Sequence, residues 1–236
     1  MQYPSNIEGK IEGHIDWDRV DIVLLDMDGT LLDLRYDNHF WLEHLPKAYA
    51  TARRLSLDEA MADLLPRFER NRGTLQWYCV DYWSDELGLD IAAIKPQVAH
   101  LIRWHVGAEA FLDYLQAMGK QRWLATNAHR HSFSVKDDKL RLTDRLERIV
   151  NAHDLGYPKE HPGFWSALQE QHAVDLSRAA LLDDNLEALS MARQCGVAAT
   201  VAISQPDTGA AAREISGEYV VTGLADLIQP QAGTPV

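Results

Sequence analysis

The sequence predicts an α/β protein: a parallel sheet with helices on both faces, interrupted by an inserted α-helical segment after the first strand. Three observations carry that class. Short apolar runs recur at Val20–Leu25, Arg122–Ala125, Arg148–Ala152, Ala179–Asn185 and Val197–Ile203, and near-continuous apolar character marks strands covered on both faces. Segments with apolar residues three and four apart separate them, as crossovers between parallel strands require. From about Leu34 to Gly107, however, the chain is rich in Ala, Leu, Glu and Arg and carries no convincing strand.

Composition narrows the functional classes. At 236 residues the chain has room for one α/β domain with a sizeable insertion, or for two small domains. Hydrophobic residues at 46% and charged residues at 25% are ordinary for a soluble globular protein. No apolar run approaches the ~18–20 residues of a membrane span, and Met1 to Lys10 lacks a signal-peptide pattern, so a cytoplasmic protein without a membrane partner is expected. Cys79 and Cys195 fall in no disulfide framework or metal motif, consistent with a reducing compartment. A formal charge of −12 opposes generic nucleic-acid binding. It leaves room for a small phosphorylated substrate, because a local cation can reverse the field inside one cleft.

Residues 1–19 read as a variable lead-in, with the near-repeat Ile7-Glu8-Gly9-Lys10-Ile11-Glu12-Gly13-His14 and a packing residue at Trp17. Val20–Leu25 then forms a buried strand that delivers Asp26 and Asp28 to its carboxyl edge, with Gly29 permitting the turn out of the sheet. Two carboxylates so close repel unless a cation or a shared proton compensates, which suggests a hard metal ion. A plain Asp-Gly turn fits the same residues.

Within the insertion, helices are expected over Phe40–Leu55, Leu57–Arg72, Leu75–Leu87 and Ile91–Trp104. Pro46, Pro66 and Pro96 predict kinks or later starts in three of them. Ser56 with Glu59 resembles a capping box, and Gly73 and Gly88 punctuate helix ends. Trp77, Tyr78, Tyr82 and Trp83, among Asp81, Asp85 and Glu86, read either as core or as a face that stacks on a nucleobase. Arg53, Arg54, Arg67, Arg70 and Arg72 read as a solvated face from which one can reach a phosphate.

After Gly107 a helix spans Ala108–Met118, and the second strand runs into Thr126-Asn127-Ala128-His129. A hydroxyl and an amide at a strand's carboxyl end suit phosphate oxygens; they also suit an ordinary turn. Ser134 to Arg148 reads as one or two polar surface helices. A Pro- and Gly-rich loop, Gly156 to Trp165, leads into the helix Phe164–His172 and carries Lys159, a surface charge unless the loop folds over the acids. Asp183 and Asp184 end a further buried strand, ahead of the helix Leu186–Gln194 closed by Gly196. With Asp26 and Asp28 they would make an oxygen-only cluster, which favours Mg2+. Val197–Ile203 is the last strong strand, and the tail from Ala232 is uninformative.

Taken together, Asp26-Met27-Asp28-Gly29-Thr30, Thr126-Asn127, Lys159 and Asp183-Asp184 resemble, in order, the four motifs of the haloacid dehalogenase-like hydrolase superfamily. The insertion is similar to the helical cap of its small-molecule subfamily. Leu24 to Leu34, Gly73 to Cys79 with Asp81 to Ser84, Thr126 to His129, and Gly156 to Glu160 look like the bacterial GMP/IMP nucleotidase branch. Glu160 departs from the proline that usually follows the third-motif lysine, while Pro162 keeps its place.

The resemblance implies a Rossmann-like core from residues 1–33 and 108–236 with a cap at 34–107, either a monomer or a homodimer. It implies a Mg2+-dependent phosphatase acting on purine nucleoside monophosphates. Asp26 would be the nucleophile and Asp28 the acid and base, with Lys159, Thr126 and the Asn127 backbone on the phosphoryl oxygens. Asp26, the Asp28 carbonyl and Asp184, assisted by Asp183, would hold the metal. Dehalogenases of the superfamily lack an aspartate where Asp28 stands, so phosphate chemistry is expected. A sugar-phosphate phosphatase or phosphomutase, and a phosphate-ligand-binding regulatory protein without turnover, are the competing readings.

Overall fold

β1 (Ile22–Leu25) is the strand around which the rest of the sheet is ordered. The structure, a computed structural model, describes residues 15–217 and 219–229; the near-repeat at 7–14 and the tail from Ala232 lie outside them. Past β1 the chain enters a helical stretch of α1 (Arg35–His39), α2 (Leu45–Arg53), α3 (Leu57–Asn71), α4 (Leu75–Tyr78), α5 (Val80–Leu87) and α6 (Ile91–Ile94). Then follow α7 (Ala108–Ala117), β2 (Gln121–Thr126), α8 (Arg130–Leu140), β3 (Arg148–Asn151), α9 (Ala152–Leu155), α10 (Pro162–His172), β4 (Ala179–Asp183), α11 (Leu186–Gln194), β5 (Ala199–Ile203) and β6 (Tyr219–Val221).

The strands pair in parallel in the order β3-β2-β1-β4-β5-β6. That order reverses direction beside β1, and in open α/β sheets the crevice at such a switch point, outside the carboxyl ends of the strands, is where ligands bind. Both faces of the sheet are apolar, so helices must cover both. Val23, Leu25 and Leu124 pack with Phe111, Leu112 and Leu115 of α7 on one side. Leu24 and Leu181 pack with Trp165 and Leu168 of α10 and Leu189 of α11 on the other. Trp17 packs against Phe111 and Tyr114 with ring centroids 6.2 and 6.4 Å away, as a packing residue should.

The helical stretch has a core of its own. Tyr36, Phe40, Leu45, Leu64, Phe68, Trp83 and Leu87 are buried together, each such side chain contributing roughly 1.5–3 kcal/mol of burial free energy. The Ser56–Glu59 capping box forms, with Glu59 N–H donating to Ser56 Oγ at 3.3 Å and Ser56 N–H to Glu59 Oε2 at 2.8 Å. Helix boundaries shift where the prolines and one cysteine fall. The expected helix Phe40–Leu55 starts earlier, as α1, and passes through a π-helical turn at Phe40–His44 into α2. Pro46 lies in the first turn of α2, where a missing N–H is tolerated. Pro96 opens a 3-10 segment, Lys95–Leu101, after α6, whereas α3 runs unbroken through Pro66. The expected helix Leu75–Leu87 is two, broken at Cys79, whose extended backbone lets its Sγ accept from the Tyr82 N–H at 3.4 Å.

Two further departures come from tertiary context. β6 completes the sheet edge from only three residues, too few for a periodic signal. The segment Ser134 to Arg148, read as a surface helix, starts earlier as α8 and buries Ser132 and Lys136. Among the described residues no helix is long and apolar enough to cross a membrane.

Candidate active site

Asp26 follows β1 directly, its N–H still donating to Leu182 of β4 at 3.0 Å. The chain then turns at Gly29, where φ is +94° and the N–H donates to the Leu32 carbonyl at 2.7 Å. This turn brings Asp26 and Asp28 to one cavity of about 790 Å³ at the carboxyl edge of the sheet. Thr126, Asn127, Lys159, Asp183 and Asp184 line the same cavity, so all seven residues singled out in the sequence meet there. Its opposite wall comes from the helical stretch and includes Trp41, Phe68, Arg72, Trp77, Tyr78 and Trp83.

The two first-motif acids have different cationic partners. Lys159 Nζ donates to Asp26, and to Asp183 Oδ2 at 2.6 Å, with Lys159 and Asp183 both almost wholly buried. Lys136 Nζ donates to Asp28 Oδ1 at 2.6 Å and to Asp37 Oδ2 at 2.6 Å. Asp37 also accepts from Lys95 Nζ at 2.9 Å, and that ammonium sits 4.4 Å from the Phe40 ring centroid. Burial pushes Asp26 up to about 7, with the Lys159 charge opposing and the Asp183 charge adding to the rise. Burial likewise pushes Asp28 up to about 7, against the pull of Lys136 and with Asp37 and Asp26 reinforcing it. Asp184 is raised well above the carboxylate range by burial and then by the charges of Asp26 and Asp183.

Side-chain oxygens of Asp26, Asp183 and Asp184 all lie within 4.8 Å of one another, whereas the Asp28 carboxylate is engaged by Lys136. Asp26, Asp28, Asp37 and Asp183 are met by the buried lysines Lys95, Lys136 and Lys159, and Arg213 stands 3.6 Å from Asp184 Oδ2, so with all five acids ionised one negative charge is left over. A hard divalent cation on the three clustered carboxylates would favour their ionised forms, and the all-oxygen donor set fits Mg2+.

The second-motif loop is built to present groups upward. Thr126 Oγ1 accepts from the Ala128 N–H at 3.0 Å, which leaves its own proton free to be donated. The Asn127 side chain is committed at both ends: Nδ2 donates to Glu160 Oε2 at 2.8 Å, and Oδ1 accepts from the Lys159 N–H at 2.9 Å. Any contact from Asn127 to a ligand is therefore left to its backbone. Glu160, which departs from the usual third-motif proline, accepts as well from Tyr78 Oη at 2.6 Å and from Asn185 Nδ2 at 2.7 Å. It joins the second, third and fourth motif regions to the helical wall.

Of the arginines of the insertion, Arg72 lines the cavity, while Arg67 is spent on Asp63 and Glu86. The aromatic cluster divides. Trp83 is core and donates its Nε1–H to the Trp77 carbonyl at 2.9 Å, whereas Trp77 and Tyr78 are partly exposed to the cavity. Sequence reasoning missed Lys136, Asp37 and Lys95, because a lysine or an acid in a polar helical stretch carries no local mark of burial.

Comparison with known proteins agrees with this arrangement. A model of the haloacid dehalogenase-like hydrolase family matches residues 20–196. The GMP/IMP nucleotidase YrfG of Escherichia coli (strain K12) is 38% identical over 201 residues, spanning 85% of this chain and 90% of that protein. Among solved structures, a HAD phosphatase from Thermococcus onnurineus superposes with a TM-score of 0.73 at 19% identity, covering 88% of this chain and 96% of that one. The L-2-haloacid dehalogenase of Xanthobacter autotrophicus superposes at 0.59 with 17% identity, covering 88% and 96%. Since a phosphatase and a dehalogenase share the fold, the fold alone does not choose the reaction. The match across most of the chain, through every motif that reaches the cavity, shows that the chain belongs to the haloacid dehalogenase-like hydrolases.

Proposed function

We propose that this hydrolase is a Mg2+-dependent phosphatase acting on purine nucleoside monophosphates such as GMP and IMP, with residues 34–107 serving as a cap over a core of 1–33 and 108–236. The observation that carries the chemistry is that Asp26 and Asp28 reach one cavity with separate lysine partners. Each can then do a different task. Asp26 attacks phosphorus: its Oδ–P bond forms as the bond from phosphorus to the ester oxygen breaks, leaving an aspartyl-phosphate. Asp28, pushed up to about 7, holds a proton near neutrality and gives it to the departing alkoxide. It then takes a proton from the water that cleaves the aspartyl-phosphate, which restores both acids.

Lys159 faces the phosphoryl oxygens from the Asp26 side, and the Thr126 hydroxyl and the Asn127 backbone hold them from the second-motif loop. Asp26, Asp183, Asp184 and the Asp28 carbonyl would hold Mg2+, which supplies positive charge to offset the phosphoryl oxygens. The substrate class is supported by the 38% identity to a protein named as a GMP/IMP nucleotidase and by the aromatic wall of Trp77 and Tyr78 across the cavity.

A phosphate-release screen over nucleoside monophosphates and sugar phosphates, with and without Mg2+, tests the reading. GMP and IMP should lead, activity should require the metal, and Asp26→Asn should lower kcat by at least about a thousandfold. A strong preference for a sugar phosphate would retire the nucleotidase assignment but leave the chemistry. Release that survives Asp26→Asn would overturn both.

A further inference from the structure

Away from the acidic cluster, ligand-bearing side chains from the helical stretch and from the sheet meet at a second place. Cys79 caps α5, His129 caps α8, and His153 lies on α9; a ligand atom from each lies within 4.8 Å of the others. Asp81, in the first turn of α5, brings Oδ2 to 3.5 Å from His129 Nε2.

His153 adds an independent sign that something binds there. Its Nε2 is buried with no hydrogen-bond partner. A buried polar group left unpaired is unfavourable, so a partner for it is expected. A buried imidazole nitrogen beside a thiol and a second imidazole, with no protein partner of its own, can offer its lone pair to a metal.

We propose that Cys79, His129 and His153 bind a divalent transition metal of the zinc class at the seam between the helical stretch and the sheet, three protein donors with the fourth position open. Thiolate and imidazole select a borderline-soft ion with four ligands, whereas the carboxylates of Asp26, Asp183 and Asp184 suit Mg2+. The two sites therefore discriminate between metals by donor chemistry. Cys79 comes from the helical stretch, His129 and His153 from the sheet side. A bound ion would tie the segment carrying Trp77 and Tyr78 to the loop carrying Asn127.

The test uses the full-length protein, stripped of metal by a chelator and held in excess Mg2+, titrated with Zn2+ by calorimetry and with Co2+ by visible absorption. One equivalent of Zn2+ and a thiolate-to-cobalt charge-transfer band are expected from the wild type. Cys79→Ser should remove the band, and His153→Ala should weaken Zn2+ binding by at least about tenfold. Asp184→Asn should keep the full equivalent. No uptake by the wild type, uptake abolished by Asp184→Asn, or uptake unchanged in both Cys79→Ser and His153→Ala would each overturn the assignment. The wild-type cobalt spectrum does not depend on any variant folding.

Discussion

Lys136 Nζ lies 2.6 Å from Asp28 Oδ1 although the two residues are 108 positions apart. The same ammonium is 2.6 Å from Asp37 Oδ2, so one buried lysine holds two carboxylates that would otherwise repel. Removing one partner from a buried ion pair leaves an uncompensated charge, which typically costs 3–5 kcal/mol, on the order of the whole loss expected here. Lys136→Met should therefore lower unfolding stability by about that amount in urea titration. It should also lower kcat, because Asp28 loses the group that orients it. Native stability in Lys136→Met would show that the pair is not what holds α8 against the first-motif loop.

Glu160 accepts hydrogen bonds from Tyr78, Asn127 and Asn185, three residues from three parts of the chain. Glu160→Ala leaves those donors without their acceptor and should destabilise by roughly 1–3 kcal/mol. Tyr78→Phe removes a single bond and should cost less. A double-mutant cycle of Tyr78→Phe with Glu160→Gln, followed by chemical denaturation, should give a coupling of about 0.5–3 kcal/mol. Simple additivity would mean that the two side chains do not meet.

Gly29 combines φ of +94° with close neighbours on the fourth-motif side: an added Cβ would stand 2.8 Å from Asp184 Cγ and 2.8 Å from Pro206 Cβ. Gly29→Ala must strain the turn and displace Asp184 together. The expected result is a loss of about 1–3 kcal/mol in stability and a weaker Mg2+ response, read by thermal unfolding with and without the metal. An unchanged Mg2+ response would detach Asp184 from metal binding.

The raised acids predict a pH dependence whose sign is fixed. Asp26 and Asp28 titrate near 7 in the folded protein, against an ordinary value of 3.8. Between those values the folded state binds more protons than the unfolded chain, so these two groups make stability fall as pH rises, levelling above about 7. Lowered His129 and His153 slope the other way through the ordinary histidine range. The useful readout is therefore the Tm gain on adding Mg2+, since the metal needs the carboxylates ionised. That gain should be larger at about pH 8 than at about pH 5.5, and Asp184→Asn should flatten the difference. Equal gains at both pH values would separate the metal from the acidic cluster.

By itself, the sequence determined the class of the sheet, five of its six strands and seven of the residues that line the cavity. The apolar runs ending in acids at Asp26 and at Asp183-Asp184 were local signals, whereas Thr126-Asn127 and Lys159 also fit an ordinary turn and a surface charge and joined the site through the resemblance to the family's motifs. A strand's carboxyl end is a position along the chain, and parallel pairing sends all such ends to one edge, so a one-dimensional pattern suffices.

Only the tertiary structure decided the partnerships between those residues. Lys136 reads as one charge in a polar helix, yet it is 1% exposed because Asp28 and Asp37 arrive from elsewhere in the chain. Glu160 reads as a flaw in a motif, yet Tyr78, 82 residues earlier, meets it across the cavity. Cys79 belongs to no spacing motif, but the fold sets it, at the start of α5, beside His129 at the start of α8 and His153 of α9. A side chain's charge state and burial are properties of the groups around it, and those groups are distant in sequence; composition and periodicity report only a residue's own neighbours along the chain.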